Sequence, residues 1–166
     1  MQAQIEERFK ECCQILKKGD ILQANDILNQ LLIDALDNER IQFAVNCFSF
    51  WINIIRQLPT IEEPYAKGET LLSEWISFLS YVEKQKYTPD EHILYCFKCG
   101  IFSLALDNYY QLINATDFEQ RAEISRKIGL CYKKLGEYET ARDCLIESNR
   151  LKPGVASVIA ELADCY

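Results

Sequence analysis

One histidine, four prolines and six glycines are all that 166 residues hold of the types that usually mark active sites and turns. A single His92 leaves no pair for a His-Glu-x-x-His metal helix, and no Gly-x-Ser-x-Gly elbow or glycine-rich phosphate loop is present. No catalytic residue stands out and no cofactor is expected, so the chain reads as a non-enzyme. The scarcity of proline and glycine, and of Val/Ile/Thr alternation, argues against strands and for an all-α fold. No long apolar run exists either. The most apolar stretch, Phe43 to Ile55, is interrupted by Asn46, Ser49 and Asn53, which argues against membrane insertion. MQAQIEERFK lacks the basic-then-apolar order of a signal peptide, and a cytoplasmic location is the expectation. Basic residues are outnumbered. A net charge of −7 argues against non-specific binding to nucleic acid or anionic membrane and favours, weakly, basic partners.

What is abundant is hydrophobic and helical. Just under half the residues are hydrophobic, enough for one domain with a real core. Eight cysteines in a reducing compartment read as packed thiols rather than disulfides. Gly19-x-Ile21-x-x-Ala24, Gly100-x-Phe102-x-x-Ala105 and Gly136-x-Tyr138-x-x-Ala141 share one grammar. Glycine turns the chain, a large residue plugs the groove between helices, and alanine lets them cross closely.

Helical periodicity and capping signals then divide a single domain, residues 1–166, into hairpins at about 2–36, 39–86, 88–113 and 117–151, plus a helix at 155–166. Thr60-x-x-Glu63, Thr88-x-x-Glu91 and Thr116-x-x-Glu119 read as capping boxes, with Pro64 and Pro89 in first turns. Gly100 is expected to stop one helix at about Cys99 and start its partner at Phe102. The second hairpin lacks the glycine grammar.

The stretch Ala122 to Pro153 carries Ile128-Gly129, Tyr132, Gly136, Tyr138, Ala141, Leu145 and Pro153 at the spacings of one helix-turn-helix unit. Leu162-Ala163-Asp164-Cys165-Tyr166 begins the pattern again. These residues resemble a tetratricopeptide (TPR) repeat. The resemblance implies a right-handed superhelix of antiparallel helix pairs, an α-solenoid. It also implies a non-catalytic protein-interaction role in which the first helix of each pair lines a concave groove for a peptide or helix of a partner protein. Two other readings stay open: an oligomerisation domain pairing through exposed helix faces, and a regulatory or sensor domain of a larger protein. The stripe Val158, Leu162, Tyr166 has no following helix to cover it. The expectation is a chain that continues, or a homo-oligomer through this C-terminal helix.

Within such a groove the residues to weigh are Gln42, Asn46, Ser49 and Asn53, an uncharged polar stripe at i, i+4, i+7, i+11 between two apolar faces. Amides offer both donor and acceptor to an extended peptide backbone, although the same groups could bond to neighbouring helices or water. Arg126 and Leu130 project from the helix of the TPR-like stretch. Some TPR domains clamp a C-terminal carboxylate with basic groove residues and asparagines; here Leu130 stands where that clamp has asparagine, and Glu161 opposes the charge. His92, Cys96 and Cys99 share one helical face, but structural zinc takes four ligands, and Cys131 or Cys165 would have to be recruited. Packed thiols with no metal are expected. Trp51, Trp75, Phe78 and Tyr81 are expected in the core.

Overall fold

The computed structural model describes Met1–Tyr166 as eight α-helices with no strand. They are α1 (Gln2–Lys17), α2 (Ile21–Asp34), α3 (Glu39–Gln57), α4 (Pro64–Glu83), α5 (Glu91–Tyr110), α6 (Phe118–Lys134), α7 (Tyr138–Leu151) and α8 (Ala156–Ala163), with a 3-10 turn at Leu58–Thr60. Helices adjacent in the chain pack on one another from α4 to α8, as do α1, α2 and α3. One contact is out of order: α1 lies directly against α5. No helix is long and apolar enough to cross a membrane.

Aspartate or asparagine caps the starts of α2, α3, α5 and α6. The Asp20 carboxylate accepts from the Gln23 amide at 3.2 Å, and Asn38 accepts from Arg40 and Ile41. Asp90 accepts from Ile93 at 3.0 Å, and Asp117 from Glu119 at 3.2 Å. The three threonine boxes are therefore displaced. Thr88 and Thr116 each precede an aspartate that takes the cap, because a carboxylate is the stronger acceptor and complements the helix dipole. Thr60 donates back to the Gln57 carbonyl at 2.6 Å, so Glu63 precedes the fourth helix without a side-chain cap and Pro64 opens it.

Gly100 does not end a helix. Residues Glu91–Tyr110 form one uninterrupted helix, in place of the expected break at Cys99. A Cβ on Gly100 would sit 2.2 Å from the Leu16 carbonyl oxygen, so this glycine is where α1 crosses α5 at backbone contact. Phe102 and Ala105 are buried as the shared grammar requires, but by packing along one helix. Gly19 and Gly136 do make turns, with φ of +91° and +79°. Nothing lies within 4 Å of a Cβ added to Gly136, so its requirement is conformational alone. Gly136→Ala is expected to lower unfolding stability by about 1 kcal/mol, read from a denaturant midpoint. Gly136→Asn should lose less, because asparagine tolerates the left-handed region.

The main core is built from α1 to α6. Trp51 is fully buried and meets Phe50, Phe78 and Trp75 at ring-centroid distances of 5.3, 5.4 and 6.4 Å. Phe48 and Phe78 both reach Phe97 of α5. These rings, with half-buried Tyr81 against Phe50, bridge α3 to α4 and α5. A separate small cluster, Ala141, Leu145, Val158 and Cys165, joins α7 to α8. The C-terminal stripe is thus largely used: Val158 is buried, Leu162 packs beside it, and only Tyr166 stays open at 81 % exposure.

Candidate functional site

On α3 the buried residues Ile41, Phe43, Ala44, Cys47, Phe48 and Trp51 occupy one side, and the polar stripe occupies the other. The apolar residues flanking the stripe turn down into the core and raise no walls around it. Gln42 donates to the Leu36 carbonyl at 2.8 Å, fastening the α2–α3 connection, and Ser49 donates to the Val45 carbonyl at 2.8 Å. Half-buried Asn46 lends its backbone carbonyl to the Tyr81 hydroxyl at 3.2 Å, and Asn53 is exposed. The side-chain amides of Asn46 and Asn53 are the part of the stripe left to meet another molecule.

Arg126 and Leu130 lie one turn apart on α6, which is not a neighbour of α3, so the two residue sets are not brought together. The Arg126 guanidinium grips Glu123 through two bonds of 2.8 and 3.0 Å, and the Tyr65 hydroxyl donates to the same carboxylate. Burial pulls Glu123 upward, but the Arg126 bonds outweigh it and hold the carboxyl below its usual range. Burial, then Glu69 and Glu123, push the Tyr65 phenol up to about 12. Beside it Lys127 pairs with Glu69 at 2.8 Å, and Glu69 also accepts from buried Tyr109 at 2.7 Å. Lys133 is taken by Glu161 and Asp164 of α8 and its following residue. The cations that a carboxylate clamp would use are thus paired inside the protein, tying α4 to α6 and α6 to α8. Leu130 faces a different hollow, with Lys134 and Tyr138.

Two features were not drawn together from sequence. The first is a groove of about 450 Å³ over α4, α5 and the end of α6. Trp75, Leu79, Leu94 and Tyr95 form its apolar surface, and Lys98, Lys134 and Glu91 are its charged lining. The Lys17 ammonium lies 5.1 Å from the Tyr95 ring centre, and Lys98 5.9 Å from it. Leu79 and Tyr95 are 43 % and 47 % exposed, well above what a core position allows. Trp75 is buried, as its helical spacing predicts. The signal missed was that Lys17 of α1 joins Lys98 over the Tyr95 ring of α5, which only the packing of α1 on α5 creates.

The second is a cluster of Cys13, His92 and Cys96, whose ligand atoms all lie within 4.8 Å of one another. His92 and Cys96 are a turn apart on α5, and Cys13 arrives from α1 through the crossing at Gly100. Cys99, Cys131 and Cys165 are not part of it. A hydrogen bond from Cys96 holds the Cys13 thiol below its ordinary value and raises Cys96 well above its own. Elsewhere burial pushes Cys12, Cys47 and Cys131 up to about 12, as inert packed thiols require. A cleft of about 330 Å³, lined by Ile5, Phe9, Asn38 and Arg40 among others, reaches Cys13 and His92.

No family model, no curated protein and no solved structure matches this chain.

Proposed function

We propose that this chain is a non-catalytic protein-interaction module of the TPR-like, α-solenoid kind. It holds an apolar, acidic segment of a partner protein in the groove over α4 and α5. The observation that carries this reading is the convergence of Lys17 and Lys98 on the half-exposed Tyr95, in a groove that exposed Leu79 and Lys134 also line. Aromatic and apolar anchors supply most of the binding energy at protein interfaces, and charge at the rim selects the partner and speeds its approach. The chain is acidic overall, but at this groove Lys17, Lys98 and Lys134 outnumber Glu91, which favours a carboxylate-bearing segment where the net charge would favour a basic one. The run α5 to α8, in which each helix packs on the next, supports the solenoid-like reading; the α1–α5 contact departs from it. Work in a reducing cytoplasm would keep all eight cysteines as thiols.

Selection from a random-peptide display library tests the reading. The protein is expected to enrich peptides that combine apolar residues with Asp or Glu. Leu79→Glu and Lys98→Glu should each weaken the selected peptide at least about tenfold, roughly 1.4 kcal/mol. Selection without any consensus, or a consensus that Leu79→Glu binds unchanged, would reject it.

Self-association is a second reading, favoured by exposed Ile146 and Ile159 on α7 and α8. It expects the mass in solution to rise with concentration and Ile159→Lys to abolish that rise.

A further inference from the structure

We propose that Cys13, His92 and Cys96 form a three-ligand site for a zinc ion, with the fourth coordination position opening toward the cleft between α1 and the start of α3. The sequence alone placed His92, Cys96 and Cys99 on one helical face and left the set one ligand short; in the structure Cys99 stands outside the cluster. The fold supplies the third ligand from α1, and the cleft supplies an open position.

Geometry carries the inference. Zinc bonds sulfur at about 2.3 Å and imidazole nitrogen at about 2.0–2.1 Å; tetrahedral angles then set sulfur–sulfur spacings near about 3.8 Å and sulfur–nitrogen spacings near about 3.6 Å. The Cys96 sulfur stands 3.7 Å from the His92 Nε2, already at that spacing. No pair in the trio exceeds 4.8 Å, so small side-chain rotations close the set. Two thiolates and a neutral imidazole also offset the charge of a divalent ion, which suits the burial of both sulfurs. His92 is exposed and meets the cleft, which gives the ion an access route.

The neighbours that could have filled the fourth position are engaged elsewhere. The Cys12 sulfur donates to the Ala24 carbonyl at 3.1 Å, toward α2. Asp90 caps α5 and is bound by the Arg40 Nε at 2.7 Å. Glu6 also lines the cleft but lies outside the cluster, so the fourth ligand is water or a donor group entering through the cleft. As the metal–sulfur bonds form, the two thiol protons leave to solvent and no electron changes hands. A mixed thiolate–imidazole set with one open position suits zinc.

The test uses the whole chain, stripped with chelator and kept reduced by a phosphine. Titration with Co²⁺ is expected to give a thiolate-to-metal charge-transfer band with tetrahedral ligand-field bands at one ion per chain, and Zn²⁺ should displace it. His92→Ala leaves the core untouched and should lower Zn²⁺ affinity by at least about tenfold, whereas His92→Cys should keep Zn²⁺ binding. Cys13→Ser with Cys96→Ser should abolish the charge-transfer band; if that double variant fails to fold, the wild-type spectrum and His92→Ala decide alone. Absence of the charge-transfer band, equal affinity in His92→Ala, or binding of Cu⁺ where Zn²⁺ fails would overturn the proposal.

Discussion

Gly100→Ala is expected to destabilise the protein by about 3 kcal/mol, an unusual direction for a glycine replaced inside a helix. At an exposed helical position the same change would stabilise by about 1 kcal/mol, because alanine loses less backbone freedom. Here the added methyl would lie 2.2 Å from the Leu16 carbonyl oxygen. That obstacle is backbone, anchored in α1, and it cannot rotate aside as a side chain would. Relief requires α1 to move off α5, which loosens the packing of Leu16, Cys13 and Phe9 together. Gly129→Ala is the control. Its methyl would meet the Leu145 Cγ at 2.9 Å and the Ala141 carbonyl at 3.2 Å, a side chain with some freedom and a more distant oxygen. Urea unfolding should rank wild type, Gly129→Ala and Gly100→Ala in falling order of midpoint. If Gly100→Ala were as stable as wild type, the close crossing of α1 and α5 would be wrong.

Trp51→Ala should lose about 3–5 kcal/mol, the range for emptying a large aromatic site in a core. The ring is fully buried and touches three other aromatic residues, which α3 and α4 contribute. Trp75 and Phe78 are themselves held by Phe102 and Phe97 of α5, so the hole closes poorly. Trp51→Phe is the more revealing substitution. The indole Nε1–H is buried with no hydrogen-bond acceptor, and such an orphaned donor costs about 1–3 kcal/mol. Phenylalanine keeps most of the ring contact and removes that donor, so its cavity penalty is largely offset. Equilibrium denaturation should place Trp51→Phe within about 1 kcal/mol of wild type. A loss comparable to that of Trp51→Ala would mean that the indole nitrogen finds a partner.

Short-range features were legible in the sequence. Gly19 and Gly136 turn where glycine precedes a large residue and alanine, and the apolar periodicity of α3 and α7 marks their buried faces. Ala24, Ala105 and Ala141 are fully buried, as residues at close crossings must be. Gly100 was misread because glycine serves two physical needs, a left-handed turn and a close approach, and the local pattern is the same for both. The threonine boxes failed for a different reason: Thr88 and Thr116 each offered a weaker acceptor near an aspartate, and Thr60 turned back to the Gln57 carbonyl. On the candidate sites, the α3 stripe was visible as a pattern, yet the internal bonds of Gln42 and Ser49 depend on loop geometry that no periodicity reports. Arg126 has its partner Glu123 one turn away on the same helix, whereas the Lys127–Glu69 pair joins helices far apart in the sequence. Cys13 and the lysines around Tyr95 were invisible as groups, since each joins residues from helices far apart in sequence.

The crossing of α1 on α5 also orders events while the chain is being made. α1 can pair with α2 as soon as both exist, but the face that carries Cys13 and Leu16 waits until α2, α3, α4 and half of α5 have been synthesised. During that interval an apolar strip stands open to water and to other nascent chains. Contacts between distant segments are slow to form because the intervening loop must first be closed. The amino-terminal hairpin is thus made first and finished late, and the segment that completes it is the one with a glycine where its backbone must pass.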